Sequence, residues 1–117
     1  MLQHVTIEVR REDVDACVAF MELLGFRRSE SPEGLEGVAT WLSRQGTQMH
    51  LLHVEDPVVP PRAHAAVVVD DYDSALAMMR EHGHEVRETT KYWDGRRAFA
   101  RMPTGHLVEL METPPPS

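Results

Sequence analysis

The sequence predicts an α+β protein made of two repeated βαβββ units that together form a cup-shaped mixed sheet. Three observations carry this. The runs His4-Val-Thr-Ile-Glu-Val9 and His64-Ala-Ala-Val-Val-Val69 are both short, β-branched and headed by histidine, 60 positions apart. Each is followed by an aspartate, an apolar-periodic stretch and a glycine, with 58 positions between Asp15 and Asp73 and again between Gly25 and Gly83. A second pair of runs, Gln48–Leu52 and Leu107–Met111, repeats with His50 and Glu109 59 positions apart. Self-similarity at a fixed period marks a duplicated supersecondary unit. This duplication sets a metal-competent side chain at matching places in both halves, twice per half.

Residues 3–9 alternate, so Val5, Ile7 and Val9 face one side and His4, Thr6 and Glu8 the other. The apolar side is expected under a helix and the polar side against a wet hollow. Asp13 to Leu24 reads as that helix, with Asp13 or Asp15 as N-cap and Gly25 as a left-handed C-cap. Phe26-Arg27-Arg28 is a second strand, and Ser31–Gly37 a loop. Val38–Ser43, carrying Trp41, turns at Gln45-Gly46 into its hairpin partner Thr47–Val54. The prolines of segment 56–61 exclude a helix or central strand and make it a stiff connector.

The second half repeats the plan. Ala63–Val69, free of Pro and Gly, reads as an interior strand. A helix from Asp73 to Glu81 ends at Gly83, and strands follow at His84–Thr89, Arg97–Arg101 and His106–Met111. Residues 1–117 thus read as a single domain of two repeats, about 1–55 and 62–113, with a disordered tail at 114–117.

Composition narrows the function. A net charge of −7 repels phosphate backbones and anionic headgroups, which argues against nucleic-acid and membrane-surface partners. The one cysteine, Cys17, lies in an apolar helical pattern and reads as a buried thiol. No disulfide framework is possible, and no apolar run spans a bilayer, so the expected location is the cytoplasm.

The pattern resembles the vicinal oxygen chelate superfamily, which includes glyoxalase I, methylmalonyl-CoA epimerase, extradiol dioxygenases, fosfomycin-resistance transferases and bleomycin-binding proteins. The residues carrying the resemblance are His4-Val-Thr-Ile-Glu-Val, Leu23-Leu-Gly-Phe26, His64-Ala-Ala-Val-Val-Val-Asp70, Trp93-Asp-Gly-Arg-Arg-Ala-Phe99 and Met102-Pro-Thr-Gly-His-Leu-Val-Glu-Leu110. The resemblance implies the glyoxalase/bleomycin resistance/dioxygenase fold, and it covers all but the proline tail. Family members place ligands on the first and last strands of each unit, which here are His4, His50, His64 and Glu109. The usual acidic turn before the last strand reads Met102-Pro-Thr-Gly105, a change of turn chemistry.

Three imidazoles and a carboxylate suit a divalent metal ion such as Zn, Ni, Fe, Mn or Co. The resemblance implies a metal that chelates vicinal oxygens of a small-molecule substrate, with Glu109 as the candidate proton-abstracting base. Glyoxalase I has Glu where this chain has His50, which argues against a symmetric two-carboxylate proton transfer. The subset His4, His64 and Glu109 resembles extradiol dioxygenases and fosfomycin-resistance enzymes, although the basic loop of the latter is not evident. Thr6, Trp41, Trp93 and Phe99 are candidate pocket residues, the aromatics having core packing as their alternative role. Arg97 or Arg101 is the candidate to hold a carboxylate or phosphate. His53 lies an odd number of positions from His50 and points away, His82 reads as surface, and His84 and His106 flank turns.

Family members of this length are commonly homodimers, so a homodimer is expected. Two rival readings stay open: a metal-free, drug-sequestering binder of the bleomycin-resistance type, and an accessory domain without activity.

Overall fold

The computed structural model describes residues 1–117. The chain divides into two compact units, Met1–Val59 and Pro60–Ser117.

Unit 1 contains β1 (His4–Val9), a 3-10 turn at Arg11–Asp13, α1 (Val14–Glu22), β2 (Arg27–Ser29), β3 (Ala39–Arg44) and β4 (Thr47–His53). Its sheet runs β1-β4-β3-β2, with β1 parallel to β4 and the other pairs antiparallel. Unit 2 contains β5 (His64–Val68), α2 (Tyr72–Glu81), β6 (Val86–Thr89), β7 (Arg97–Arg101) and β8 (Leu107–Met111). Its sheet runs β5-β8-β7-β6 with the same pattern of directions. The expected α+β fold of two βαβββ units is therefore present, as a four-stranded mixed sheet in each unit.

Period-2 alternation decides the core of each sheet. In unit 1, Val9, Leu42, Met49 and Leu51 are buried on one face, as are Val14, Cys17, Val18, Phe20 and Met21 of α1. In unit 2, Val67, Val86, Ala98, Ala100, Val108 and Leu110 share the equivalent face, and α2 buries Tyr72, Ala75, Leu76 and Met79. His53 lies on the core parity of β4 and meets Thr40 Oγ1 through Nε2 at 2.9 Å, away from His50 as expected.

Both helices stop by the same device. Gly25 and Gly83 take φ of +89° and +86°, where other residues are strained. The N–H of Gly25 donates to Glu22 O and that of Phe26 to Met21 O; Gly83 and His84 repeat this with Arg80 O and Met79 O. This is the Schellman pattern.

These caps correct the expected boundaries. Phe26 and His84 close their helices, so β2 starts at Arg27 and β6 at Val86. His106 likewise belongs to the preceding turn, its carbonyl accepting from Met102 N–H at 2.8 Å while its side chain is buried, and β8 starts at Leu107. Helix α1 is shorter than Asp13–Leu24, and Asp13 makes no side-chain cap bond. Asp15 instead pairs with Arg28. Helix α2 starts one residue before Asp73, because Asp71 Oδ1 accepts from Ser74 N–H at 3.0 Å. Strand β5 is an edge of its sheet, not interior. Its β-branched content reports a half-buried pleated surface, whatever the number of neighbours. The β3–β4 turn has φ of 48° at Gln45 and 84° at Gly46, the two positive values of a type I′ hairpin. No helix is long and apolar enough to cross a membrane.

Candidate functional site

The face of each sheet opposite the apolar core carries the chemistry. In unit 1 the register sets Thr6, His50, Trp41 and Ser29 in one row and His4, Gln48, Ser43 and Arg27 in the next. In unit 2 the corresponding rows are Ala66, Glu109, Phe99 and Arg87, then His64, Leu107 and Arg101. The two units match position for position: the leading histidine sits two residues before the one facing His50 or Glu109, and an aromatic faces that residue from the other side.

On the polar side of β1, His4 and Thr6 are exposed and Glu8 is half-buried. On the neighbouring strands of the same faces, His50 and Glu109 are only 9% and 5% exposed. In unit 1 three rings stack. His50 lies 4.1 Å from His4 at 20° between planes and 4.1 Å from Trp41 at 3°. Burial, and secondarily the neighbouring His4, hold the His50 pKa below its ordinary value, which favours the neutral ring. His50 Nε2 donates to Gln48 Oε1 at 2.8 Å, leaving Nδ1 with its lone pair. His4 Nδ1 donates to Gln3 Oε1 at 2.6 Å, leaving Nε2 as the acceptor.

Unit 2 pairs a carboxylate with a guanidinium where unit 1 stacks rings. Glu109 Oε1 lies 3.1 Å from His64 Nε2, and Glu109 Oε2 accepts from Arg97 Nε at 2.8 Å. Arg97 Nη1 also donates to Thr90 O at 2.8 Å. The ring of Phe99 meets His64 edge-on at 5.1 Å, and the Arg97 guanidinium lies 5.4 Å from the Phe99 centroid. His64 Nδ1 is 2.8 Å from the Arg62 carbonyl, which can only accept, so Nδ1 carries the hydrogen. Nε2 of a neutral His64 then points a lone pair at the space the carboxylate oxygen also addresses. Two lone pairs at that distance repel unless a proton or a cation lies between them.

Two of the four sequence-predicted donors thus meet in each unit: His4 with His50, and His64 with Glu109. Neither unit gathers three His, Cys, Asp or Glu side chains as a complete cation cage. The donor chemistry still fits a divalent ion. His4, His50 and His64 each have one nitrogen engaged by an oxygen acceptor, the usual outer support of a ligating imidazole. Of the pocket candidates, Trp41 and Phe99 lie on these faces, and Thr6 stands in register beside His50. Trp93 does not lie on a strand; it sits between β6 and β7, its indole N–H donating to Thr113 O at 3.2 Å. The supports Gln48 and Arg62 and the Arg97–Glu109 pair were not anticipated. Gln48 was findable by period 2 from His50, whereas the Arg62 carbonyl leaves no trace in residue identity.

A model of the Glyoxalase/Bleomycin resistance protein/Dioxygenase superfamily matches residues 2–110. No curated protein sequence matches the chain. Among solved structures, a glyoxalase family protein from Bacillus anthracis is similar, with a TM-score of 0.86, 22% identity and coverage of 97% of this chain and 95% of that one. The fosfomycin resistance protein FosX from Mesorhizobium loti gives a TM-score of 0.74 at 18% identity, covering 97% and 92%. TnmS3, an antibiotic binding protein from Streptomyces, gives 0.73 at 22% identity, covering 94% and 93%. At these identities the structures establish a shared fold, and a fold hosts several chemistries. With the family model spanning nearly its whole length, the chain belongs to the Glyoxalase/Bleomycin resistance protein/Dioxygenase superfamily.

Proposed function

We propose that this protein is a metal-dependent enzyme acting on a small, oxygen-rich metabolite by a lyase, isomerase or dioxygenase reaction. His4, His50, His64 and Glu109 are the ligands of one divalent ion in the assembled protein, a homodimer working in the cytoplasm. The observation that carries this reading is His64. Its Nδ1 is tied to the Arg62 carbonyl, which leaves Nε2, 3.1 Å from Glu109 Oε1, as the ring atom able to share a cation with that carboxylate.

When bound, the ion supplies Lewis acidity to vicinal substrate oxygens. The remaining work falls to the chain. Burial keeps His50 neutral and therefore able to ligate near neutral pH. Arg97 holds Glu109 Oε2, which orients the carboxylate and leaves Oε1 directed at His64. Glu109 is the group placed to take a proton from a substrate carbon next to a chelated oxygen. Trp41 and Phe99 exclude water beside each donor pair.

Metal analysis of protein purified without added metal tests this. A stoichiometric divalent ion, lost on His64→Ala, is expected; its absence from wild-type protein contradicts the proposal.

One observation favours a second reading, a metal-free binder of aromatic drugs. Both oxygens of Glu109 already have partners, one of them a guanidinium that competes with a cation. Tight binding of an aromatic antibiotic by metal-free wild-type protein, abolished by Trp41→Ala, would establish that alternative.

A further inference from the structure

Beside the Glu109 pair, unit 2 holds a cavity of about 480 Å3, walled by Phe99, Leu107 and the Gly83 turn, with Arg87 and Arg101 among its lining residues. That volume is in the range of small-molecule sites. We propose that this cavity is a subsite for the anionic head group, a carboxylate or a phosph(on)ate, of a small organic ligand whose apolar part lies along Phe99.

Four observations carry it. Arg87 faces Phe99 directly across β6–β7, and Arg101 lies two residues along β7 from Phe99, so both cations flank one ring on one sheet face. Arg101 Nη1 donates to Gly105 O at 2.9 Å, which fixes its direction, while Arg87 is mostly exposed and meets Glu85 Oε1 through Nη2 at 2.9 Å in a solvated pair that an incoming anion can replace. Guanidinium carries five N–H donors, so each keeps further donors for a planar or tetrahedral anion. Glu85 is the only carboxylate in the lining, so positive charge predominates there in a chain whose net charge is −7.

Geometry gives the subsite a direction. Phe99 faces Glu109 across β7–β8 and touches His64 with its edge. A ligand anchored at Arg87 and Arg101 and lying along Phe99 therefore extends toward the Glu109–His64 pair. That the occupant is the substrate rests on the function proposed above; that the cavity binds organic anions rests on unit 2 alone.

The test is a titration of chelator-stripped protein with phenylphosphonate, benzoate and neutral benzamide, followed through the backbone amide shifts of residues 83–87 and 97–101. Both anions should shift these amides saturably, with benzamide about tenfold weaker. The double variant Arg87→Gln/Arg101→Gln should lose about tenfold in anion affinity while leaving benzamide unchanged. Preference for phenylphosphonate assigns a phosph(on)ate head group and preference for benzoate a carboxylate; either sustains the subsite. Equal binding of benzamide and the anions, or wild-type anion affinity in the double variant, overturns it. The two proposals fail separately. Anion binding through these arginines in a protein that holds no metal keeps the subsite and removes the metal enzyme, and the converse result does the opposite.

Discussion

The two units solve the same strand register with opposite electrostatics. In unit 1, Ala39, Trp41 and Ser43 of β3 accompany His50; in unit 2, Arg97, Phe99 and Arg101 of β7 accompany Glu109. Where the central residue is an imidazole, an aromatic stack buries it and keeps it neutral. Where it is a carboxylate, the same desolvation would be costly, and an arginine at the position of Ala39 offsets it. A duplicated scaffold can therefore present a neutral and an anionic donor at equivalent places, provided the adjacent strand changes with each.

The strongest way to break this comparison is to give unit 2 the unit 1 environment. Arg97→Met leaves the buried Glu109 carboxylate without its guanidinium and should cost about 3 kcal/mol in urea unfolding. Adding Glu109→Gln should return most of that loss, because no buried charge then remains. A double variant as unstable as the single one would show that Arg97 acts through packing instead.

Next in size is the unit 1 stack. Trp41→Ala should cost about 1–2 kcal/mol, since one face of His50 loses its ring partner. Opening that face to water should also raise the His50 pKa toward 6.5, followed by NMR titration of the ring protons. The sign for the wild type follows. With the folded pKa depressed, the unfolded chain binds more protons at His50, so this group's contribution is complete above pH 6.5 and declines as pH falls through the lowered folded value. Trp41→Ala should flatten that part of the stability profile.

A subtler asymmetry lies at the helix starts. Asp73 and Asp15 are equivalent, but Arg96 grips Asp73 together with Glu112, whereas Arg28 holds Asp15 alone. The Arg96 side chain lowers the Glu112 pKa from 4.5 to about 2. Its stabilisation is present above pH 4.5 and lost as pH falls toward 2. Arg96→Gln should move the Glu112 titration back toward 4.5, read by carboxyl carbon shifts; an unchanged midpoint would refute the assignment.

The smallest effect concerns the unit 1 hairpin. Gln45 occupies a left-handed position at φ 48°, which asparagine tolerates better. Gln45→Asn should raise stability by about 0.5 kcal/mol, measurable as a shift in the urea midpoint.

Much of this was legible in the sequence because a period of 58–60 residues leaves every element a second witness. Strand alternation correctly separated His50 from His53, and Gly25 and Gly83 marked both helix ends. Boundaries slipped where one residue serves two elements, as Phe26 and His84 do in completing the helix caps. The candidate ligands could be named from identity and spacing. The partner of Glu109 could not, because Arg97 and Arg101 share one strand face and only side-chain reach sends the first to the carboxylate and the second to Gly105 O. Residue type alone points Trp93 toward a pocket wall, whereas its hydrogen bond to Thr113 O depends on how the β6–β7 connection meets residue 113.

The most direct measurement is a zinc titration of chelator-stripped protein by calorimetry, run on wild type, His4→Ala and His64→Ala. Donors that serve a common ion predict one equivalent per chain in the wild type and loss of that binding in both variants, although each removes a proposed ligand from a different unit. Wild-type zinc affinity surviving in either variant would show that the histidines of the two units do not share a cation.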